Sequence, residues 1–365
     1  MATQRICFFN SNPAWGGGEK WHFQHALLLE KKGFHVIGIA NRDSPLARKW
    51  ADHRLPTYPL HLSNLSFLNL PKVLRVRRIL RQHRIEAVIL NLSADLKLGG
   101  IAAWAGGVKH IIYRRGQALP VRNTAMNRFL FRKVLTHVIA NSEEIKQKIL
   151  TNNRHLVSGK KIHVLYNAID LDTCPIAPAC PLYPKNAGEI VLGNAGRLVS
   201  QKGQRYLIEL AQRLKLEGVR FKLLIAGEGP LAAELAAYAR QLDVGDCILF
   251  LGFLSEIKPF MDSIDVFVLT SLHEGSSNIV LEAMAFQKPV VAFDISSNAE
   301  LVENGRNGYL VDFANVSHMA AKIHTLRRNE GLRKDMGQTG RDHVAQRHSI
   351  QGSVAHLIQI MNDAI

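Results

Sequence analysis

The chain has 365 residues, 47% of them hydrophobic and 21% charged, and its formal net charge is +16. That length is long for one domain and comfortable for two. No stretch approaches the roughly 20 apolar residues that would span a bilayer, and the first residues lead straight into a strand and a glycine loop, which argues against a secretory signal.

In chain order, Ile6 to Phe9, Val36 to Ala40, Ala87 to Leu90, His110 to Tyr113, His137 to Ala140 and Ile162 to Leu165 are short apolar runs. Longer helical patterns separate them, such as Lys20 to Lys32 and Leu70 to His83. Short runs without alternation, spaced by helices, predict parallel strands buried on both faces. Between the first strand and its helix lies Trp15-Gly16-Gly17-Gly18-Glu19-Lys20-Trp21. Its glycines let backbone N–H groups approach an anion. The spacing is not G-x-G-x-x-G, so a dinucleotide site is a poor reading. A tight structural turn is the plain alternative.

Charge is unevenly placed. Residues 1–180 hold 27 Lys+Arg against 10 Asp+Glu, a net +17, whereas residues 181–365 hold 19 against 20, a net −1. One dense patch is Arg75, Arg77, Arg78, Arg81 and Arg84, interleaved with Val76, Ile79 and Leu80. Another takes in Arg114, Arg115, Arg122, Arg128, Arg132 and Lys133. Such fields attract anionic surfaces or anionic acceptors. For the first patch, a solvated helix face is the alternative.

The stretch 172–188 carries Pro175, Pro178, Pro181 and Pro184 and reads as an extended linker. It separates an expected first domain, 1–171, from a second, 189–349. A further helix is expected over about 350–365, from Gln351 to Ala364. The fold class is α/β: two doubly wound, Rossmann-like domains facing across a cleft, with ligands at the carboxyl ends of the strands. Cys7, Cys174, Cys180 and Cys247 show neither metal nor redox spacing, and Cys174 and Cys180, in the linker, read as free thiols of a reducing compartment.

Three segments of the second half carry chemistry. Asn194-Ala195-Gly196-Arg197-Leu198-Val199-Ser200-Gln201-Lys202-Gly203 follows a strand and precedes a helical run from Gln204 to Leu216. Arg197 offers a planar fork and Lys202 a point charge, the pair wanted by a diphosphate. Next, Leu223 to Pro230 reads as a strand, a turn and a helix starting at Pro230. Finally, Val266 to Leu269 is a strand, and Asn278 is placed to cap a helix through Met284. Glu274 and Glu282, with seven residues between them, flank the first-turn N–H groups of Ser277, Asn278, Ile279 and Val280. Such a site suits a phosphate between sugars.

The Glu274–Glu282 pattern resembles the E-x7-E motif of retaining, GT-B-fold glycosyltransferases, especially glycosyltransferase family 4. Residues 194–203 resemble the family's G-R-L-x-x-x-K-G segment, and 223–230 its strand-then-G-x-G-P element. Tyr166-Asn167-Ala168-Ile169-Asp170 resembles its N-G-I/V-D segment, with Ala168 where Gly is usual. The resemblance covers the whole chain and is most specific from Tyr166 to Gly308, and it implies that the last helix, Gln351 to Ala364, packs back on the first domain. It implies a hexose-type transfer from a nucleotide-diphosphate sugar, with retention and with no metal or other cofactor. The implied catalytic residues are Arg197, Lys202 and Glu274. Donor binding would use Gly16, Gly17, Gly18, Gly196, Arg197, Lys202, Ser277, Asn278, Ile279, Val280 and Glu282, with Glu282 on the ribose. The implied acceptor is a glycan or glycolipid of lipopolysaccharide or another cell-surface polysaccharide. The enzyme would be cytoplasmic and peripheral on the inner membrane through Arg75, Arg77, Arg78, Arg81 and Arg84.

The chain also departs from the family. A histidine–glycine pair usually ends the fourth or fifth strand, and here Tyr113-Arg114-Arg115-Gly116 occupies that stretch. Arg115 and Glu19 become the candidate sugar or acceptor contacts, and no acceptor-activating base stands out. Asp170-Leu171-Asp172 has metal-binding spacing but falls inside the N-A-I-D segment. His273-Glu274 begins like a zinc-protease motif, but Ser277 stands where the second His belongs. The competing classes are a GT-B epimerase or phosphorylase and a nucleic-acid-binding protein. Against the latter, the basic half has no recognised nucleic-acid module.

Overall fold

The computed structural model describes residues 4–116, 120–151, 153, 156–176, 180–295 and 297–362. The chain forms two compact units, one of Met1–Asn167 with Ile350–Ile365 and one of Ala168–Ser349.

The first unit is built on β1 (Arg5–Asn10), β2 (His35–Asn41), β3 (Thr57–Leu60), β4 (Ala87–Leu90), β5 (His110–Arg115), β6 (His137–Ala140) and β7 (Ile162–Val164), in the order β3-β2-β1-β4-β5-β6-β7. Every pairing is parallel. The absence of alternation has a direct cause. Cys7 and Phe9 enter one core, while Ile6 and Phe8 enter another on the opposite face. The edge strand β3 escapes a sequence reading because Pro59 looks like a breaker. At an edge its missing N–H removes no ladder bond.

The last helix, Ile350–Asn362, belongs to this unit. Val354, Leu357, Ile360 and Met361 join the core of Ile6 and Phe8. Ser353 Oγ meets His25 Nε2 at 2.8 Å. The expected end of this helix, Ala364, lies outside the described residues.

The proline-rich stretch is fastened down where it is described. Leu171–Thr173 forms a 3-10 turn in which the Asp170 carboxylate accepts from Asp172 N–H at 3.2 Å. That local turn accounts for the D-x-D spacing. Tyr183 N–H donates to Ser263 Oγ at 3.2 Å, and Lys185 pairs with Asp265 at 2.7 Å. Pro178 lies outside the described residues. All four cysteines are free thiols. No helix among the described residues is long and apolar enough to cross a membrane.

The second unit is built on β8 (Ile190–Ala195), β9 (Phe221–Ala226), β10 (Ile248–Gly252), β11 (Val266–Leu269), β12 (Val290–Phe293) and β13 (Gly308–Val311), in the order β10-β9-β8-β11-β12-β13. Again all pairings are parallel. Sequence order reverses between β8 and β11, the position at which doubly wound sheets open a crevice for ligands. Gly203 closes the loop after β8 with φ +60, and a Cβ there would lie 2.2 Å from the Thr270 carbonyl oxygen just after β11.

Gly203→Ala should therefore cost about 1–3 kcal/mol of stability in this unit, from both the left-handed backbone and the clash. Gly218→Ala is the control, because its φ is +69 with open space around it. Chemical denaturation of both variants checks this. Equal losses would mean that the Thr270 contact adds nothing.

Candidate active site

In the second unit the functional side chains gather at the reversal between β8 and β11. A 3-10 turn, Ser200–Lys202, carries Lys202 toward the loop after β11. Lys202 Nζ lies 2.5 Å from Glu274 Oε1, and Ser271 Oγ donates to the same oxygen at 2.6 Å. Glu274 is 6% exposed. A carboxylate that dry is held charged by a cation and a hydroxyl in direct contact. The backbone fixes the two loops together: Leu272 N–H donates to Gln201 O at 2.8 Å, and Gln201 Nε2 donates to His273 O at 3.0 Å. Arg197 is exposed, while its carbonyl accepts from Gln204 Nε2 at 2.9 Å.

The following helix runs from Asn278 to Ala285. Asn278 was expected at its cap; Ser277 occupies that position instead, with φ −86 and ψ 101 and no side-chain capping bond. The cap lies one residue earlier because Asn278 itself has turned helical. Ser277 is buried, and its hydroxyl has no hydrogen-bond partner among the described residues. First-turn N–H groups without a capping side chain, beside an unsatisfied buried hydroxyl, call for ligand oxygens. Val280, Leu281, Ala283, Met284 and Ala285 root the helix in the core, and Glu282 is half-buried in its second turn. Gly196 N–H donates to Ala226 O at 3.0 Å, which ties the β8 loop to the end of β9. The helix expected from Pro230 begins at Ala232. Pro230 and Leu231 form a turn in which Leu231 N–H donates to Leu198 O at 3.2 Å.

The first unit holds a separate buried network at its own reversal, between β1 and β4. Gly16 precedes the helix Gly17–Lys31, and Glu19 in its first turn is only 2% exposed. Asn10 Nδ2 and Asn91 Nδ2 each donate to Glu19 Oε1 at 3.1 Å. Arg114 Nη1 donates to Asn91 Oδ1 at 3.3 Å and Arg114 Nη2 to Asn167 Oδ1 at 2.8 Å. The guanidinium also lies 4.8 Å from the Trp21 ring centroid. Burial lowers the Arg114 pKa to about 10, with the Glu19 charge opposing the fall. A Cβ on Gly18 would lie 2.7 Å from Asn91 Nδ2, so only glycine lets the loop sit against this network.

Glu19 is thus turned into the protein, and Arg115 is half-buried with a hydrogen bond to the Tyr113 hydroxyl. Sequence reasoning missed Asn10, Asn91 and Asp95, and it put Arg114 in a basic patch open to anionic surfaces, whereas Arg114 is buried in this network at 3% exposure. For Arg114 a signal existed. Side chains alternate along β5, so Tyr113 and Arg115 share one side and Arg114 takes the other. Asp95 accepts from Ser11 N–H at 2.8 Å, Leu92 N–H at 2.7 Å and Asn91 N–H at 3.2 Å. Burial nevertheless pushes its carboxyl up to about 7. On the helix Leu70–Gln82, Arg75, Arg78 and Arg81 are exposed, Arg77 is half-buried, and Arg84 is exposed beyond the end. No group of three or more His, Cys, Asp or Glu among the described residues is placed to hold a metal ion.

The topology, two parallel doubly wound units, defines a GT-B fold. The family model "Glycosyltransferase Family 4" matches residues 15–173, and "Glycosyl transferases group 1" matches 182–343. The chain belongs to the glycosyltransferases that join these two domains. It is 28% identical over 281 residues to N-acetylgalactosamine-N,N'-diacetylbacillosaminyl-diphospho-undecaprenol 4-alpha-N-acetylgalactosaminyltransferase of Campylobacter jejuni, covering 74% of this chain and 75% of that one. It is 29% identical over 346 residues to the capsular polysaccharide biosynthesis glycosyltransferase CapM of Staphylococcus aureus, covering 89% and 88%. Among solved structures, Anabaena Alr3699/HepE in complex with UDP and glucose superposes with a TM-score of 0.83, at 20% identity over 99% of this chain and 100% of that chain.

Asp95 generates a pH prediction. Its carboxyl rises from an ordinary 3.8 to about 7 on folding. Between those values the folded protein keeps a proton that the unfolded chain has released. The contribution of Asp95 is therefore full below about pH 4 and is lost as the pH rises through about 7. The stability advantage of wild type over Asp95→Asn should shrink between pH 5 and pH 8 in urea denaturation. A constant difference would show that Asp95 does not titrate in that window.

Proposed function

We propose that the chain is a retaining glycosyltransferase that moves a hexose-type sugar from a nucleotide-diphosphate donor to a glycan or glycolipid acceptor. The setting would be assembly of lipopolysaccharide or another cell-surface glycan. The observation that carries this reading is the Lys202–Glu274 pair at the β8/β11 reversal, beside the uncapped helix start at Ser277. The names of the C. jejuni and S. aureus relatives support the setting, and the UDP and glucose in HepE support the donor class.

In this reading the acceptor hydroxyl oxygen bonds to the anomeric carbon as the sugar–diphosphate bond breaks, the electron pair of that bond going to the phosphate oxygen and the hydroxyl proton leaving with the diphosphate. Arg197, Lys202 and the N–H groups of Asn278, Ile279 and Val280 stabilise that developing charge. These residues supply the positive charge, so the reading requires no metal. Once Lys202 turns to the diphosphate, Glu274 is released to accept hydrogen bonds from sugar hydroxyls. Glu282 holds the ribose. In the first unit the loop Gly16–Gly18 offers backbone N–H groups, and the Glu19–Asn91–Arg114 network fixes its shape. Arg115 is the proposed sugar or acceptor contact. Arg75, Arg77, Arg78, Arg81 and Arg84 draw the first unit to an anionic surface, on the cytoplasmic face of the inner membrane.

A thermal-shift panel of nucleotide sugars tests the donor assignment, since a ligand at 100 times its dissociation constant adds about 2.7 kcal/mol. Product analysis with the stabilising sugar, with and without acceptor, then separates transfer from epimerisation or phosphorolysis. Arg197→Ala and Lys202→Ala should each reduce turnover by about 10²–10³; folding should be little changed in Arg197→Ala, whose side chain is exposed, whereas Lys202→Ala should also lower stability because it strands Glu274. Near-normal transfer by both would remove them from the mechanism.

The two glutamates should separate in calorimetric titration with UDP. Glu282→Ala weakens binding, because it removes the ribose acceptor. Glu274→Ala leaves affinity unchanged or tighter, because Lys202 no longer has to leave a partner, yet transfer falls. Equal losses of UDP affinity would refute the division.

A further inference from the structure

The helix Leu70–Gln82 commits one face to the core through Val76, Ile79 and Leu80. Its outer face changes character along its length. Leu70 and Leu74, one turn apart, are 64% and 49% exposed, and Leu65 and Leu68 just before the helix are 68% and 69% exposed. Arg75, Arg78 and Arg81 follow on the exposed side, and Arg84 stands just past the end.

These leucines are held outward by their surroundings. Ser66, between Leu65 and Leu68, is buried, and its Oγ accepts from Ser63 N–H at 2.9 Å and from Lys72 Nζ at 3.2 Å. Lys72 also donates to His61 O at 2.6 Å, and Asn69 caps the helix by accepting from Lys72 N–H at 2.9 Å. Lys97 Nζ sits 5.3 Å from the Phe67 ring centroid. Lys72 and the small polar side chains of this segment are thus spent on pinning the loop, and the leucines face water. Four large apolar side chains this exposed within about ten residues, followed by exposed arginines, mark an interaction surface.

We propose that the segment from Ser63 to Arg84 is a membrane-interfacial anchor. Leu65, Leu68, Leu70 and Leu74 enter the boundary between headgroups and acyl chains, and Arg75, Arg78, Arg81 and Arg84 lie against anionic headgroups. At 1.5 Å per residue, Arg78 and Arg81 stand about 6 and 10 Å along the helix from Leu74. The net +17 of residues 1–180 selects an anionic bilayer over an apolar protein partner. The proposal deepens the electrostatic attachment stated above and rests on it for that choice. It adds a component that salt does not screen.

The full chain is sedimented with vesicles of phosphatidylcholine and phosphatidylglycerol at 0.1 M and 1 M salt. The variants are Leu65→Ser/Leu68→Ser/Leu70→Ser/Leu74→Ser and Arg75→Ser/Arg78→Ser/Arg81→Ser. Wild type should bind at low salt and keep a measurable fraction at high salt. The arginine variant should lose low-salt recruitment. The leucine variant should partition at least about tenfold more weakly at 1 M salt. All three should bind UDP alike. The proposal is overturned if wild type ignores these vesicles, or if the leucine variant binds them as wild type does at both salts. It is equally overturned if the leucine changes alter only the molar mass in light scattering, because the patch would then join copies of the chain. Leucine-dependent vesicle binding in a chain that binds no nucleotide would sink the transferase reading and leave the anchor standing.

Discussion

A carboxylate with almost no access to water cannot stay charged alone, and Glu274 meets that constraint through Lys202. The cost of stranding either charge is several kcal/mol, so neither loop is free to wander. The loop after β8 and the loop after β11 must come together wherever this pair forms. Parallel strands adjacent in the sheet but far apart in sequence are what allow it. Gly203 then has to be glycine, since the backbone of one loop passes over the Thr270 carbonyl of the other. The topology, the turn chemistry and the ion pair are one arrangement seen at three levels.

The first unit solves a similar problem differently. Its buried carboxylate, Glu19, also sits at a strand-order reversal, but no cation touches it in the described contacts. Amide groups of Asn10 and Asn91 solvate it, and Arg114 acts through Asn91. Such a relay spreads charge over several neutral groups and suits a rigid support. A direct ion pair, by contrast, is two charges that a strongly charged ligand is able to separate. The contrast matches the roles proposed for the two sites, a fixed platform in one unit and an exchangeable clamp in the other.

How far the sequence reaches follows from which features are local. Ala87–Leu90, His137–Ala140 and Gln204–Leu216 stand in the structure with the bounds that apolar runs and helical periodicity predict. Glu274 in the loop and Glu282 in the helix stand where their spacing predicts, because a loop and a helix start are contiguous in the chain. The failures are also physical. The edge strand β3 was hidden by Pro59, which is tolerated only because nothing pairs beyond it. The cap moved from Asn278 to Ser277, since two neighbouring residues of similar capping propensity cannot be separated without the backbone. Arg114 was passed over for Arg115, although strand alternation offered both. Asn10, Asn91 and Asp95 carry no motif, and only the order β1-β4-β5 brings the first two to Arg114. The Lys202–Glu274 contact likewise joins positions 72 apart in sequence, and no spacing rule predicts it.

Charge is distributed in keeping with these two kinds of site. The second half is nearly neutral, at −1, yet contains the residues proposed to hold a diphosphate. In the proposed reading its attraction for an anion therefore comes from geometry: a helix start, a lysine already desolvated by its partner, and an arginine at the surface. A short-range site of this kind discriminates by shape and is weakly affected by salt. In the same reading the net +17 of the first half acts at longer range. A broad field of that kind is screened within about 10 Å at ordinary salt, while the ion pair at the β8/β11 reversal depends on contacts of a few ångströms.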